Sequence, residues 1–273
     1  METSKEFTEE KKMKKIVAVV LALLAVCLCF TGCGSKNDTL IVATNAEFEP
    51  FEYLDKNGDY TGFDIDLIKA VADKMGKKVK IDNMEFDGVV AAVSQGTCDV
   101  AASGLTINAK RSKEVDFSDA YYEGAAQIII VPKDDTVFTG TTKEEIDKQL
   151  ENKKVGVCTG FTGASYAKGD DEWGFSGIKG ADVKTYDNIS LAIEDMKNGN
   201  IEVIIMDDST AKEAAEANSD AVKVIDVPLT VEKYGIAVKK GDDQLKKDVN
   251  KALKDLKADG TYDKLIEKYG LNG

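Results

Sequence analysis

From Leu40 onward the chain alternates short apolar runs with amphipathic stretches, and it does so twice. Leu40 to Thr44 (LIVAT) is a short apolar run of strand character. Asp64 heads DIDLIKAVADKM, where Leu67, Val71 and Met75 recur every four residues and Gly76 follows. That spacing predicts a helix capped by Asp64 and stopped at Gly76. Val79 to Ile81 is the next strand, Asp87 caps a helix in DGVVAAVSQG with Val89, Val90 and Val93 inward, and Asp99 to Ser103 is a third strand. The rhythm then restarts. Gln127 to Val131 is a strand, Thr142 and Glu145 form a capping box for a helix to about Leu150, and Lys154 to Cys158 is a strand. A helix around Asn188 to Lys197, the strand Glu202 to Met206, a helix through Ala211 to Ala217 and the strand Gly235 to Lys239 follow. Two amphipathic helices end the chain, Asp243 to Ala258 and Thr261 to Tyr269. Strands alternating with helices make α/β layers, and two such units joined by extended crossings predict two α/β lobes.

Composition narrows the chemistry. The 273 residues carry a formal charge of −13 with 43% apolar side chains, enough for a packed core of roughly one or two domains. The acidic balance makes nucleic acid a poor partner. There is no histidine, which excludes Ser-His-Asp and Cys-His catalysis and any His-ligated metal. Chemistry must rest on carboxylates, Lys, Arg, Tyr or Cys; neither a cofactor nor a metal is expected.

The first 32 residues read as a targeting segment. A basic run from Lys11 to Lys15 precedes fifteen uncharged residues, Ile16 to Phe30. Fifteen is short of the roughly 18 to 20 that span a bilayer, so a signal-peptide core is expected rather than a permanent anchor. Phe30-Thr31-Gly32-Cys33 resembles the bacterial lipoprotein processing site, with Phe30 where Leu is usual. Cys27 and Cys29 follow the bulky Val26 and Leu28, so Cys33 is the expected lipidation site, and an uncleaved anchor or simple secretion is the alternative. Met13 is an alternative start. The expected division is a signal peptide over 1–32, a lipid-anchored tether over 33–38, and an exported domain of charge about −14 once five Lys and four Glu are removed. Cys98 and Cys158, far apart, are expected to be buried free thiols.

An ordered set of motifs covers nearly all of that domain. Phe48-Glu49-Pro50-Phe51-Glu52-Tyr53, Gly62-Phe63-Asp64-Ile65-Asp66-Leu67, Asp99 to Thr106 with Arg111, Asp116-Phe117-Ser118, and Ala258-Asp259-Gly260-Thr261-Tyr262 resemble the bacterial extracellular solute-binding proteins of family 3, which serve polar amino acids. The resemblance implies a type II periplasmic-binding-protein-like fold, two α/β lobes joined by a two-strand hinge. It places lobe 1 at 39–123 plus 234–273, lobe 2 at 124–233, and the hinge near Tyr122 to Ala125 and Val231 to Tyr234. It also implies a monomer, held on the extracytoplasmic face of the cell membrane, that hands a free amino acid to an ABC permease.

An amino acid presents a carboxylate, an ammonium and a side chain. Arginine meets a carboxylate with two parallel hydrogen bonds, a geometry lysine lacks. Arg111 is the one arginine among 36 Lys and Arg, and it stands at the family's carboxylate-clamp position. The resemblance adds Thr106 to the carboxylate. Thr159 to Gly163 is a glycine-rich turn between strand and helix whose N–H groups suit an anion, with Thr162 and Gly163 chosen there and Phe161 replacing a threonine usual in the family. Asp207, at the carboxyl end of its strand, matches the family's ammonium-binding aspartate; Asp208 reads as the next helix's N-cap, and Gly104 offers a carbonyl to the same ammonium. Phe48 and Phe86 match the side-chain walls. Asn45, Cys158 and Met206, neutral or soft where relatives carry charge, argue for a neutral or sulfur-containing amino acid. A dehydratase-like enzyme on the same fold, using Glu47, Glu49 or Glu52 as acid, and a ligand-sensing module are the alternatives.

Overall fold

The computed structural model describes residues 38–271, so the leader and Cys33 lie outside the described residues. Two five-stranded sheets organise the chain. One orders its strands Lys78–Asn83, Thr39–Thr44, Val100–Ala101, Ala237–Lys239 and Val115–Phe117. The other orders Asp182–Tyr186, Lys154–Cys158, Val203–Asp207, Gln127–Pro132 and Val222–Ile225. The two share one plan: three parallel strands, then a fourth antiparallel to the third.

In both sheets the fourth strand is the one arriving from the other sheet. Tyr122–Ala125 runs into Gln127–Pro132, and Glu232–Tyr234 leads back toward Ala237–Lys239. These two crossing strands pair antiparallel, with a register shift between Glu232 and Lys233. Aromatic rings surround the crossing. Phe51 packs edge-on against Phe63, Tyr122 and Tyr234, with centroids 6.2, 5.2 and 5.3 Å apart, and offset contacts of this kind favour one arrangement over many.

The central strands are buried because helices cover both faces, which is why Val203–Asp207 reads as an unbroken apolar run. The helix Phe63–Lys74 turns Phe63, Ile65, Leu67, Ile68 and Val71 into the core. Its N-cap is Gly62, not Asp64; Asp64 lies inside the helix, its carboxylate taken by Gly104 N–H and the Tyr121 hydroxyl. Gly62 is required there: at φ 117° any Cβ would sit 2.2 Å from the Phe51 carbonyl oxygen. Likewise the helix Phe86–Gln95 is entered from Glu85 rather than capped by Asp87.

Thr142 does cap Lys143–Leu150, accepting from Glu145 N–H, but Glu145 returns its bond to Thr141 N–H rather than to Thr142. Asp208 is the first residue of the helix Asp208–Ala217, and the N-cap position belongs to Asp207. Asp182–Tyr186 and Val222–Ile225, edge strands with polar or half-exposed residues, lack the apolar signal of central strands. Cys98 and Cys158 are buried free thiols, and burial pushes the Cys158 thiol up to about 12. Among the described residues no helix is long and apolar enough to cross a membrane, and no acidic or cysteine cluster is arranged to hold a metal.

Candidate functional site

Parallel strands of the two sheets end at one cleft, and the residues just beyond those ends line it. Thr39–Thr44 leads to Phe48, Val100–Ala101 to Ser103, Gly104 and Thr106, Lys154–Cys158 to Phe161 and Thr162, and Val203–Asp207 ends on Asp207 itself. Arg111 and Phe86 complete the lining. The enclosed space is about 10 Å³, room for about one water. Phe161 is part of its wall, with its ring centroid 4.3 Å from Phe86 and 5.7 Å from Phe48. Gly104 lets the Phe48 ring pack against its backbone, since a Cβ there would lie 2.6 Å from that ring.

Arg111 opens the one-turn helix Arg111–Glu114 and is buried, at 8% exposure. Its Nη1 donates to the Thr106 carbonyl at 3.1 Å and its Nη2 to the Gly160 carbonyl at 3.2 Å, so it bonds main chain from both sides of the cleft. The guanidinium carbon stands 5.3 Å from the Phe86 ring and 5.1 Å from the Trp173 ring, each within reach of a cation–π attraction. Burial lowers its pKa to about 10, which leaves it charged at neutral pH. Its lysine neighbours make the ion pairs, Lys110 with Asp170 and Lys113 with Glu172, both at 2.8 Å. Arg111 itself has no ion-pair partner among the described residues.

Thr106 and Thr162 face each other with their hydroxyl oxygens 3.2 Å apart. Both hydroxyls bond Glu232 Oε2, at 2.6 and 2.8 Å. The other oxygen of Glu232 accepts from Gln127 Nε2 at 3.1 Å and from the Thr230 hydroxyl at 2.6 Å. Asp207, 4% exposed, accepts from the Tyr234 hydroxyl at 2.8 Å. Burial, with the Glu232 carboxylate nearby, holds Asp207 above the usual carboxylate range.

The remaining expected residues stand off the cavity. Asn45 is buried, its carboxamide donating to the Met84 carbonyl at 2.9 Å. Cys158 and Met206 lie at 1% exposure within the strands and do not line the space. Gly163 does not line it either: a Cβ there would come 2.9 Å from both Gln127 Oε1 and the Ile205 carbonyl, so the glycine lets its helix pack on the neighbouring strand. Of the carboxylates weighed as acids, Glu47 and Glu49 border an outer groove, and Glu52 is fully buried beneath Ser103, whose hydroxyl donates to it at 2.8 Å. Ser103 lies within the Asp99 to Thr106 motif without being singled out there, Glu232 has no local signal, and Trp173 is marked only by being the one tryptophan of the chain.

The model of the bacterial extracellular solute-binding proteins, family 3, matches residues 40–272. A probable histidine-binding protein of Neisseria gonorrhoeae is 33% identical, over 94% of this chain and 96% of its own length. The arginine-binding extracellular protein ArtP of Bacillus subtilis (strain 168) is also 33% identical, over 92% of this chain and 96% of its own. Among solved structures, an ancestral arginine-binding protein bound to glutamine superposes with a TM-score of 0.75 at 40% identity, over 85% of this chain and 97% of that one.

Proposed function

The chain belongs to the bacterial extracellular solute-binding proteins of family 3, and from that membership we propose that it captures a free L-amino acid and delivers it to the permease of an ABC importer. The observation that carries this reading is Arg111, a buried cation held by main-chain carbonyls at a cleft, with no ion-pair partner among the described residues. A guanidinium has five N–H groups, so donors remain for a ligand carboxylate. Asp207 offers the opposite charge to an ammonium, and Gly104, which lines the same cavity, offers a carbonyl. The ligand's side chain lies among Phe48, Phe86 and Phe161. That apolar wall supports a neutral or sulfur-containing side chain.

In this reading residues 39–123 with 234–273 form one lobe and 124–233 the other, hinged near Tyr122 to Ala125 and Val231 to Tyr234; the antiparallel pairing of Tyr122–Ala125 with Glu232–Tyr234 supports it. A ligand touching both lobes favours their closed arrangement, which the permease then recognises. Binding proceeds without turnover in this reading, since the glutamates weighed as acids, Glu47, Glu49 and Glu52, border an outer groove or are buried beneath the cavity. Cleavage before Cys33 and acylation of that thiol tether the protein to the membrane. A thermal-shift screen of the twenty amino acids plus cystine, run beside an assay for prephenate or arogenate turnover, tests this reading. Stabilisation by one or a few amino acids without turnover is expected; no stabilisation by any, or turnover, overturns it.

A further inference from the structure

Glu232 belongs to a crossing strand, yet it is bonded by two hydroxyls from opposite sides of the cleft. The register shift between Glu232 and Lys233 accounts for its direction, since such irregularities re-aim side chains. Its neighbour Val231 is 86% exposed while Glu232 is 5% exposed. As a carboxylate Glu232 can only accept, and each threonine hydroxyl has a single proton to give. While Thr106 and Thr162 both donate to Oε2, neither has a proton left for another carboxylate. The hydroxyls assigned to a ligand's carboxylate are thus engaged by a carboxylate of the protein.

We propose that Glu232 is an internal competitor for the ligand's carboxylate, holding the two lobes together through Thr106 and Thr162 until an amino acid takes its place. The proposal rests on the amino-acid reading and adds what sets the affinity of that site. Glu232 need not leave the interior to yield, because Gln127 and Thr230 retain its other oxygen. An interaction made only before binding weakens binding, by lowering the competent fraction. Glu232 therefore tunes affinity downward.

The test compares the wild-type protein with Glu232→Gln and Glu232→Asp. Small-angle scattering of each protein without added ligand gives the radius of gyration, and calorimetry with L-arginine, L-glutamine and L-cystine gives affinity. Glutamine removes the charge, whereas aspartate keeps a charge near Arg111 but is one methylene too short to reach both hydroxyls. Both variants should be more open than wild type and should bind whichever of these amino acids the wild type binds about tenfold more tightly. An unchanged radius of gyration, or unchanged or weaker affinity, overturns the proposal. Weaker binding by Glu232→Gln with wild-type behaviour in Glu232→Asp would mark Glu232 as a mere counter-charge for Arg111. If none of the three amino acids binds any of the proteins, the amino-acid reading fails for them, while the scattering comparison still decides whether Glu232 holds the lobes.

Discussion

In the proposed reading, Asp207 is the residue at which the protonation state of the site meets its ligand. Burial and the nearby Glu232 hold its carboxyl above the usual range, so near neutral pH a fraction of it keeps a proton. A bound ammonium favours the charged form, so binding should release that proton and affinity should fall as pH drops from 8 to 6. Calorimetry in two buffers of different ionisation enthalpy counts the proton directly; no net release across that range would remove Asp207 as the ammonium's partner. Arg111 and Asp207 were legible in sequence because one is unique and the other ends an apolar strand. Glu232 and Trp173 were not. Their roles arise from contacts across the cleft, with partners between 62 and 126 positions away, and no local pattern encodes such contacts.

Among the elements, the helix Phe63–Lys74 contributes Asp64 to a buried acid pair with Glu52 of the strand Glu52–Leu54. The oxygens Glu52 Oε2 and Asp64 Oδ1 are buried with no hydrogen-bond partner, and a proton retained on one carboxyl would let it donate to the other. Burial raises both carboxyls, Asp64 to about 7. A raised pKa favours the folded state while the group is protonated, and that contribution is lost as pH rises from the unfolded value, about 4, through the folded one. The urea midpoint of the wild type should therefore carry a falling component between about pH 4 and 7, and Asp64→Asn should flatten it. An identical pH profile in the variant would refute the shared proton. The element pattern was readable in the central strands and amphipathic helices, whose periodicity follows burial. It failed at the edge strand Asp182–Tyr186, where exposure removes the apolar signal, and at the cap of Phe63–Lys74, where Asp64 serves the interior rather than its own helix end.

At the scale of the whole molecule, the proposed closure would draw on contacts of unequal worth. The rim pairs Lys110–Asp170 and Lys113–Glu172 are partly exposed and contribute about 0–1 kcal/mol each. The ring of Trp173 over Arg111 is more sheltered, and a cation–π contact of that kind contributes about 1–2 kcal/mol. Trp173→Ala should weaken amino-acid binding about tenfold, while raising salt should change it far less; strong salt dependence with an innocuous Trp173→Ala would reverse that ranking. The Trp173 ring and the Thr106 and Gly160 carbonyls converge on one cation, Arg111.

A calorimetric titration of Arg111→Ala with the amino acid that binds the wild type tests that convergence most directly, with circular dichroism to establish that the variant is folded. Removing one partner of a buried charge pair costs about 3–5 kcal/mol, so affinity should fall by more than about a hundredfold while the fold is kept. A folded Arg111→Ala protein that binds the same amino acid with wild-type affinity would contradict the assignment of the site.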